Sequence, residues 1–223
     1  MIDFSILYQK YANFISKIPE TLRGEILLTG GAAAYLLGSD RPFSNDMDFM
    51  APIELQTELE KALNISFTES TKKPVFHSFA GHMNLDGTDY DVVLRSTIQP
   101  LGQAETFTFY LTPEILKRRL SISTSISSNS TAGIVYSVPV EFLVLKKLLA
   151  GRGKEFGKYD LYDVHRILIH QKPLDHDFFI FLIETFCLSC DVAADIIMSH
   201  LEKIDVEYKN PAALFLRDRL ANL

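Results

Sequence analysis

Along residues 2–18 the apolar positions fall at Ile2, Phe4, Leu7, Tyr11, Phe14 and Ile15, the period of an amphipathic helix with one buried face. The pattern then shortens. Ile26-Leu27-Leu28 is a brief apolar run ending in Thr29-Gly30-Gly31, and Ala32 to Leu37 follows as a helix stopped by Gly38. This predicts strand, glycine turn, helix. Arg41 to Asn45 reads as loop, and Asp46-Met47-Asp48-Phe49-Met50 alternates acidic and apolar residues as a strand does. Pro52 to Leu63 returns to a helical pattern. From Val75 to Leu94 the pattern is β, with runs at 75–79, 82–85 and 88–94 and the pair Asp86-Gly87 between the last two. An Asp-Gly pair there predicts a two-residue hairpin turn, because both of its positions need positive φ.

Residues 121–133 are rich in Ser, Thr and Asn and read as an exposed loop or weak edge strand, and Val135 to Val138 as a last strand. After Pro139 the chain reads as helices over 140–150, 159–170, 175–187, 191–203 and 211–221. Strands therefore gather early and helices late. The expected class is α+β, with an α/β core over residues 1–138 followed by a helical domain over 139–223.

Composition supports a folded chain. Of 223 residues 47% are hydrophobic and 11% aromatic, with 16 Phe, 9 Tyr and no Trp, enough apolar surface for a sizeable core and too much for general disorder. The net charge of −6 argues against a surface that grips nucleic-acid backbone throughout. That charge is uneven: residues 1–114 carry 8 basic and 15 acidic side chains, residues 115–172 carry 10 and 4, and residues 173–223 carry 4 and 9. An acidic lobe followed by a basic segment suits local binding of a polyphosphate. The two cysteines, Cys187 and Cys190, lack the second ligand pair of a zinc site and read as structural thiols in an apolar helix. Residues 1–17 lack the pattern of a signal peptide, and no apolar run reaches the roughly 18 residues of a membrane span. The expectation is a cytoplasmic protein with no membrane contact.

The candidate chemistry lies early in the chain. Gly30-Gly31 between strand and helix would let a phosphate approach backbone N–H groups. Asp46 and Asp48, two apart on a strand, point to one side while Met47 and Phe49 point into the core. Paired carboxylates repel unless a cation joins them, and hard oxygen donors suit Mg²⁺. Asp91 sits in an otherwise apolar strand and needs a partner. Asp89 shares its face, but Asp91 lies further from the turn and is the better candidate.

Taken together, Thr29-Gly30-Gly31, Ser44-Asn45-Asp46-Met47-Asp48-Phe49 and Tyr90-Asp91-Val92 resemble the signature of the nucleotidyltransferase superfamily, the fold shared with DNA polymerase β. A second block, Pro139 to Ala150, Arg152, and Lys158-Tyr159-Asp160-Leu161-Tyr162-Asp163-Val164, is similar to the AbiEii-like branch of abortive-infection and type IV toxin–antitoxin systems. The resemblance spans roughly residues 25–170. It implies a nucleotidyltransferase-type mixed sheet with flanking helices, and transfer of a nucleoside monophosphate from an NTP to an acceptor with release of pyrophosphate. In that reading Asp46, Asp48 and Asp91 hold two Mg²⁺ ions, and Asp91 alternatively takes a proton from the attacking hydroxyl. Thr29, Gly30, Gly31, Ser44, Lys147 and Arg152 bind the nucleotide, while Asp160 and Asp163 complete a second motif on one helical face. The implied acceptor is a tRNA end, a protein or a small molecule, and the implied partner an antitoxin from an adjacent gene. The alternatives are an antibiotic-modifying nucleotidyltransferase and a catalytically silent binding domain.

Two departures from the family pattern stand out. Gly31 replaces a common serine, and Gly151, Gly153 and Gly157 suggest a looser junction between the two basic helices. Lys146 reads equally well as the solvated face of its helix, Asp160 also reads as a cap for a helix starting at Leu161, and Arg118 and Arg119 read as a solvated pair. His77, His82, His165 and His170 have no metal spacing and receive no function.

Overall fold

The computed structural model describes residues 4–41, 46–72, 75–124, 133–153, 157–171 and 173–221. Ser44, Ile2 and residues 125–132 lie outside them. Among the described residues the strands are β1 (Leu27–Thr29), β2 (Asp46–Met50), β3 (Thr68–Lys72), β4 (Phe76–Leu85), β5 (Thr88–Ile98), β6 (Phe107–Phe109), β7 (Leu120–Thr124) and β8 (Gly133–Ser137). The helices are α1 (Ser5–Ile15), α2 (Gly30–Leu36), α3 (Gln56–Leu63), α4 (Pro113–Lys117), α5 (Val140–Ala150), α6 (Asp160–His170), α7 (His176–Phe186), α8 (Cys190–Tyr208) and α9 (Pro211–Leu220).

The strands form one mixed sheet in the order β3-β4-β5-β2-β1-β8-β7, with β6 on the far end of β5. β2 runs parallel to β5 and β1 parallel to β8, while the other neighbours are antiparallel. Alternation along β2 and β5 separates two faces. Met47, Phe49, Tyr90 and Val92 are buried on one, where Phe14 of α1 stacks on Phe49 at 4.2 Å and on Tyr90 at 5.2 Å. Burying each such ring contributes roughly 1.5–3 kcal/mol, so α1 is held by its aromatic stripe. The opposite face, carrying Thr29, Asp48 and Asp91, is covered by α5 and the start of α6.

The Asp86-Gly87 turn has φ of 51° and 75°, the left-handed pair expected of the hairpin. It sets the β4–β5 register at Leu85↔Thr88 and hence at His82↔Asp91. Further along, Phe79 pairs with Arg95 and Ala80 with Val93, leaving Leu94 as an extra residue. This bulge reverses the alternation of β5 beyond it, so Ser96 joins Asp91 and Val93 on the α5 side.

Several elements differ from the sequence reading. β3, β6 and α4 escape it: β3 is the polar run Thr-Glu-Ser-Thr-Lys on a sheet edge, held by backbone pairing rather than by an apolar stripe. The helix predicted over 52–63 is a 3₁₀ turn (Ile53–Leu55) followed by α3. The cysteines do not share a helix. Cys187 is the buried C-cap of α7 and Cys190 the exposed start of α8, and burial pushes the Cys187 thiol up to about 12. No helix among the described residues is long and apolar enough to cross a membrane.

Candidate functional site

One cavity of about 190 Å³ lies between the sheet and the α5–α6 corner, lined by Thr29, Gly30, Asp46, Asp48, Asp91, Lys146, Lys147, Arg152 and Asp160 among others. The strand pairings put its acidic side together: Asp48 is in register with Thr29 on one side and with Asp91 on the other. Asp46 is exposed and Asp48 half-buried. Asp91 is 17% exposed and its Oδ1 lies 2.8 Å from His82 Nδ1. Asp89 is in register with Asp46, but it turns to Asn84, whose amide donates to it at 2.6 Å, and it does not line the cavity.

Gly30 has φ +64°, and a Cβ there would fall on the Asp48 carboxylate. Only glycine supplies both the left-handed backbone and the space. Gly31 is a glycine for a different reason: a Cβ would meet the guanidinium of Arg41, and Gly31 is not among the cavity-lining residues. Thr29 is 3% exposed, and its Oγ1 has no hydrogen-bond partner.

The basic side is organised by a buried ion cluster. Lys147 Nζ lies 2.7 Å from Asp163 Oδ2 and 3.2 Å from Asp160 Oδ1. Asp163 also accepts from Ser39 Oγ at 2.6 Å, and Arg41 Nε lies 2.9 Å from its Oδ1 at ion-pair distance, without an aligned hydrogen bond. Asp160 accepts from Arg152 Nε at 2.8 Å. Burial pushes the Asp160 carboxyl up, but Lys147 and Arg152 together outweigh it and hold it below the usual carboxylate range. Arg152 also ties the helix junction shut: its backbone N–H donates to Asp160 Oδ2 and its carbonyl accepts from Asp160 N. Gly151 closes α5 in the left-handed conformation, φ 57°. The described ends of this interval are therefore joined, contrary to the looser junction expected from its glycines. Asp160 is the first residue of α6 and Tyr159 its cap, so Asp160 does not cap a helix starting at Leu161.

Lys146 is the largest departure from the sequence reading. It is buried rather than solvated, with Nζ 3.4 Å from Met50 Sδ and 5.6–5.8 Å from the Phe142 and Phe109 ring centres. Burial pulls its ammonium down to about 8, against an upward pull from Asp48. Arg118 pairs with Asp175 at 2.6 Å and lies over Phe178, away from the cavity. Sequence reasoning also passed over His82, although the hairpin register alone places it opposite Asp91.

The three carboxylates have the hard-oxygen chemistry of a Mg²⁺ site and share one cavity wall. Among the described residues no group of three or more His, Cys, Asp or Glu side chains is already gathered closely enough to hold a metal. The donors fit in kind and location, and holding an ion requires their side chains to turn toward a common point.

No protein-family model matches the chain, and no curated protein gives a significant match. Solved structures give a loose likeness of chain path. A proposed nucleotidyltransferase, TM1012 from Thermotoga maritima, is 14% identical over 70% of this chain and 90% of its own, with a TM-score of 0.46. JHP933 from Helicobacter pylori is 14% identical over 97% and 90%, with a TM-score of 0.35. A proposed nucleotidyltransferase from H. pylori is 14% identical over 99% and 95%, with a TM-score of 0.36.

Proposed function

We propose that the cavity is a nucleotidyl-transfer site that takes an NTP with two Mg²⁺ ions and moves its nucleoside monophosphate to an acceptor hydroxyl or phosphate. The observation that carries this reading is the meeting of Asp46, Asp48 and Asp91, from two parallel strands, with Gly30 and a basic helix corner around one cavity. Asp46 and Asp48 would hold both ions and Asp91 one of them. Bound Mg²⁺ supplies charge stabilisation for the attacking and leaving oxygens. The chain itself then supplies position and charge neutralisation. Gly30 leaves room for the Asp48 carboxylate at the strand–helix turn, and the Thr29 hydroxyl, which has no hydrogen-bond partner, would donate to the phosphates. Alternatively Asp91, which His82 contacts at 2.8 Å, would take the proton of an acceptor hydroxyl instead of holding an ion.

The resemblance to the AbiEii-like branch supports a toxin role, with a tRNA end, a protein or a small molecule as acceptor and an antitoxin as partner. Incubation of the purified protein with Mg²⁺, each labelled NTP and candidate acceptors tests the activity. Label transfer by wild type and its loss in Asp46→Ala are expected. Equal signal from both proteins with every NTP and acceptor would refute the proposal.

A further inference from the structure

Two positions of the β4–β5 hairpin carry a carboxylate on β5 and a polar partner straight across on β4. Near the turn Asn84 is in register with Asp89, and two residues further along His82 is in register with Asp91. Each pair is closed between side chains: the Asn84 amide donates to Asp89 at 2.6 Å, and His82 Nδ1 lies 2.8 Å from Asp91 Oδ1. The two carboxylates differ in where they stand. The Asp89 side chain is 57% exposed and outside the cavity, whereas that of Asp91 is 17% exposed and lines it. His82 is itself 61% exposed and does not line the cavity, so its effect on the chemistry passes through Asp91.

An ionised carboxylate only accepts hydrogen bonds, so in this pair Nδ1 carries the hydrogen and donates. Nε2 lies 3.8 Å from Asp89 Oδ1, too far for a hydrogen bond, which leaves Asp91 as the ring's short contact of the two. A donor on one carboxylate oxygen sets the rotation of the group, as the hydrogen-bonded neighbours of metal-ligating carboxylates do. It also favours the charged form, which a cation needs and a proton acceptor must give up. The hydrogen bond of so exposed an imidazole adds little to folding.

We propose that His82 is a positioning residue for the metal site: it donates Nδ1–H to Asp91 Oδ1 and fixes Asp91 as an ion ligand. This rests on the nucleotidyl-transfer reading and, of the two roles open to Asp91, selects the holding of an ion.

Titration of the purified protein with Mn²⁺ alone, followed by the paramagnetic resonance of the unbound ion, tests it beside melting and label transfer. His82→Leu removes the donor, and His82→Asn returns an amide donor near the place of Nδ1. His82→Leu is expected to weaken Mn²⁺ binding by roughly 10- to 100-fold and to raise the Mg²⁺ concentration for half-maximal transfer in step. Its metal-free melting temperature should stay within about 3 °C of wild type. His82→Asn should recover most of the affinity. Unchanged Mn²⁺ binding in His82→Leu overturns the proposal even where transfer slows, because His82 would then serve a step other than ion binding. A loss that His82→Asn does not recover, or that comes with a large fall in melting temperature, overturns it as well, since the imidazole would then hold the hairpin and not the carboxylate. In each of these cases label transfer by wild type leaves the nucleotidyl-transfer reading standing, as does a wild type that transfers label without binding Mn²⁺, which overturns the proposal alone. A wild type that binds no Mn²⁺ and transfers no label overturns both.

Discussion

Lys147→Met removes the ammonium shared by Asp163 Oδ2 at 2.7 Å and Asp160 Oδ1 at 3.2 Å, in a cluster where the carboxylate side chains are 0% and 3% exposed. Taking one partner from a buried ion pair costs about 3–5 kcal/mol, because the remaining charge stays desolvated. Here each carboxylate keeps an arginine, Arg41 for Asp163 and Arg152 for Asp160, which places the expected loss near the lower end, about 3 kcal/mol. At roughly 2–4 °C per kcal/mol for a chain of this size, the melting temperature should fall by about 6–12 °C. Urea unfolding should show a lower midpoint with an unchanged slope. A cycle with Asp163→Asn should show coupling of about 1 kcal/mol or more, as expected of groups in one network. Stability within about 0.5 kcal/mol of wild type, together with a large loss of nucleotide affinity, would refute the reasoning: Lys147 would then be spending its charge on the ligand.

Three further outcomes follow from the geometry. Gly30→Ala puts a Cβ on Asp48 at a backbone φ of +64°; it should cost at least about 1 kcal/mol and abolish transfer, and a fully active, equally stable variant in a combined melting and label-transfer assay would contradict the proposed cradle. Lys146 gives a pH signature: its proton leaves near 8 in the folded chain against 10.5 ordinarily, so between these values the unfolded chain holds more protons and stability rises with pH. Below pH 8 the cost is fully present, about 3 kcal/mol, so ligand-free Lys146→Met should melt above wild type at pH 7 and the gap should narrow by pH 9.5; a constant gap would show that the lysine is not desolvated. Asn210→Ala removes the cap whose Oδ1 accepts from Ala212 N and Ala213 N, and whose amide donates to the His165 carbonyl at 3.1 Å; equilibrium unfolding should register a loss of about 1–2 kcal/mol, and no change would mean that α9 docks without it.

Much of the fold was legible because its signals are local. The apolar stripe of α1, the alternation of β2 and the Asp86-Gly87 turn each follow from a few neighbouring residues and their steric preferences. The turn even carried the pairing of His82 with Asp91, since a two-residue hairpin leaves one register. The α+β order was visible for the same reason, whereas the grouping of Asp46 and Asp48 with Asp91 came from the resemblance to a family signature, since the β2–β5 pairing that joins them is not local. Strands without an apolar pattern, such as β3, were not, because backbone pairing to a neighbour leaves no mark on side-chain periodicity.

What tertiary structure alone decided is which charges are spent. Lys146 and Lys147 are adjacent and chemically identical, and helical rotation sends one to Met50 and the other to Asp160 and Asp163. No local rule separates them, because the desolvation and pairing that set a buried charge come from elements distant in sequence. Ser96 is the same case, turned into the cavity by one unpaired residue at Leu94. The sequence by itself determined most of the elements and the residues of the acidic side of the cavity; the packing of α5 and α6 on the sheet determined which lysine is paired with carboxylates and which hydroxyl lines the cavity.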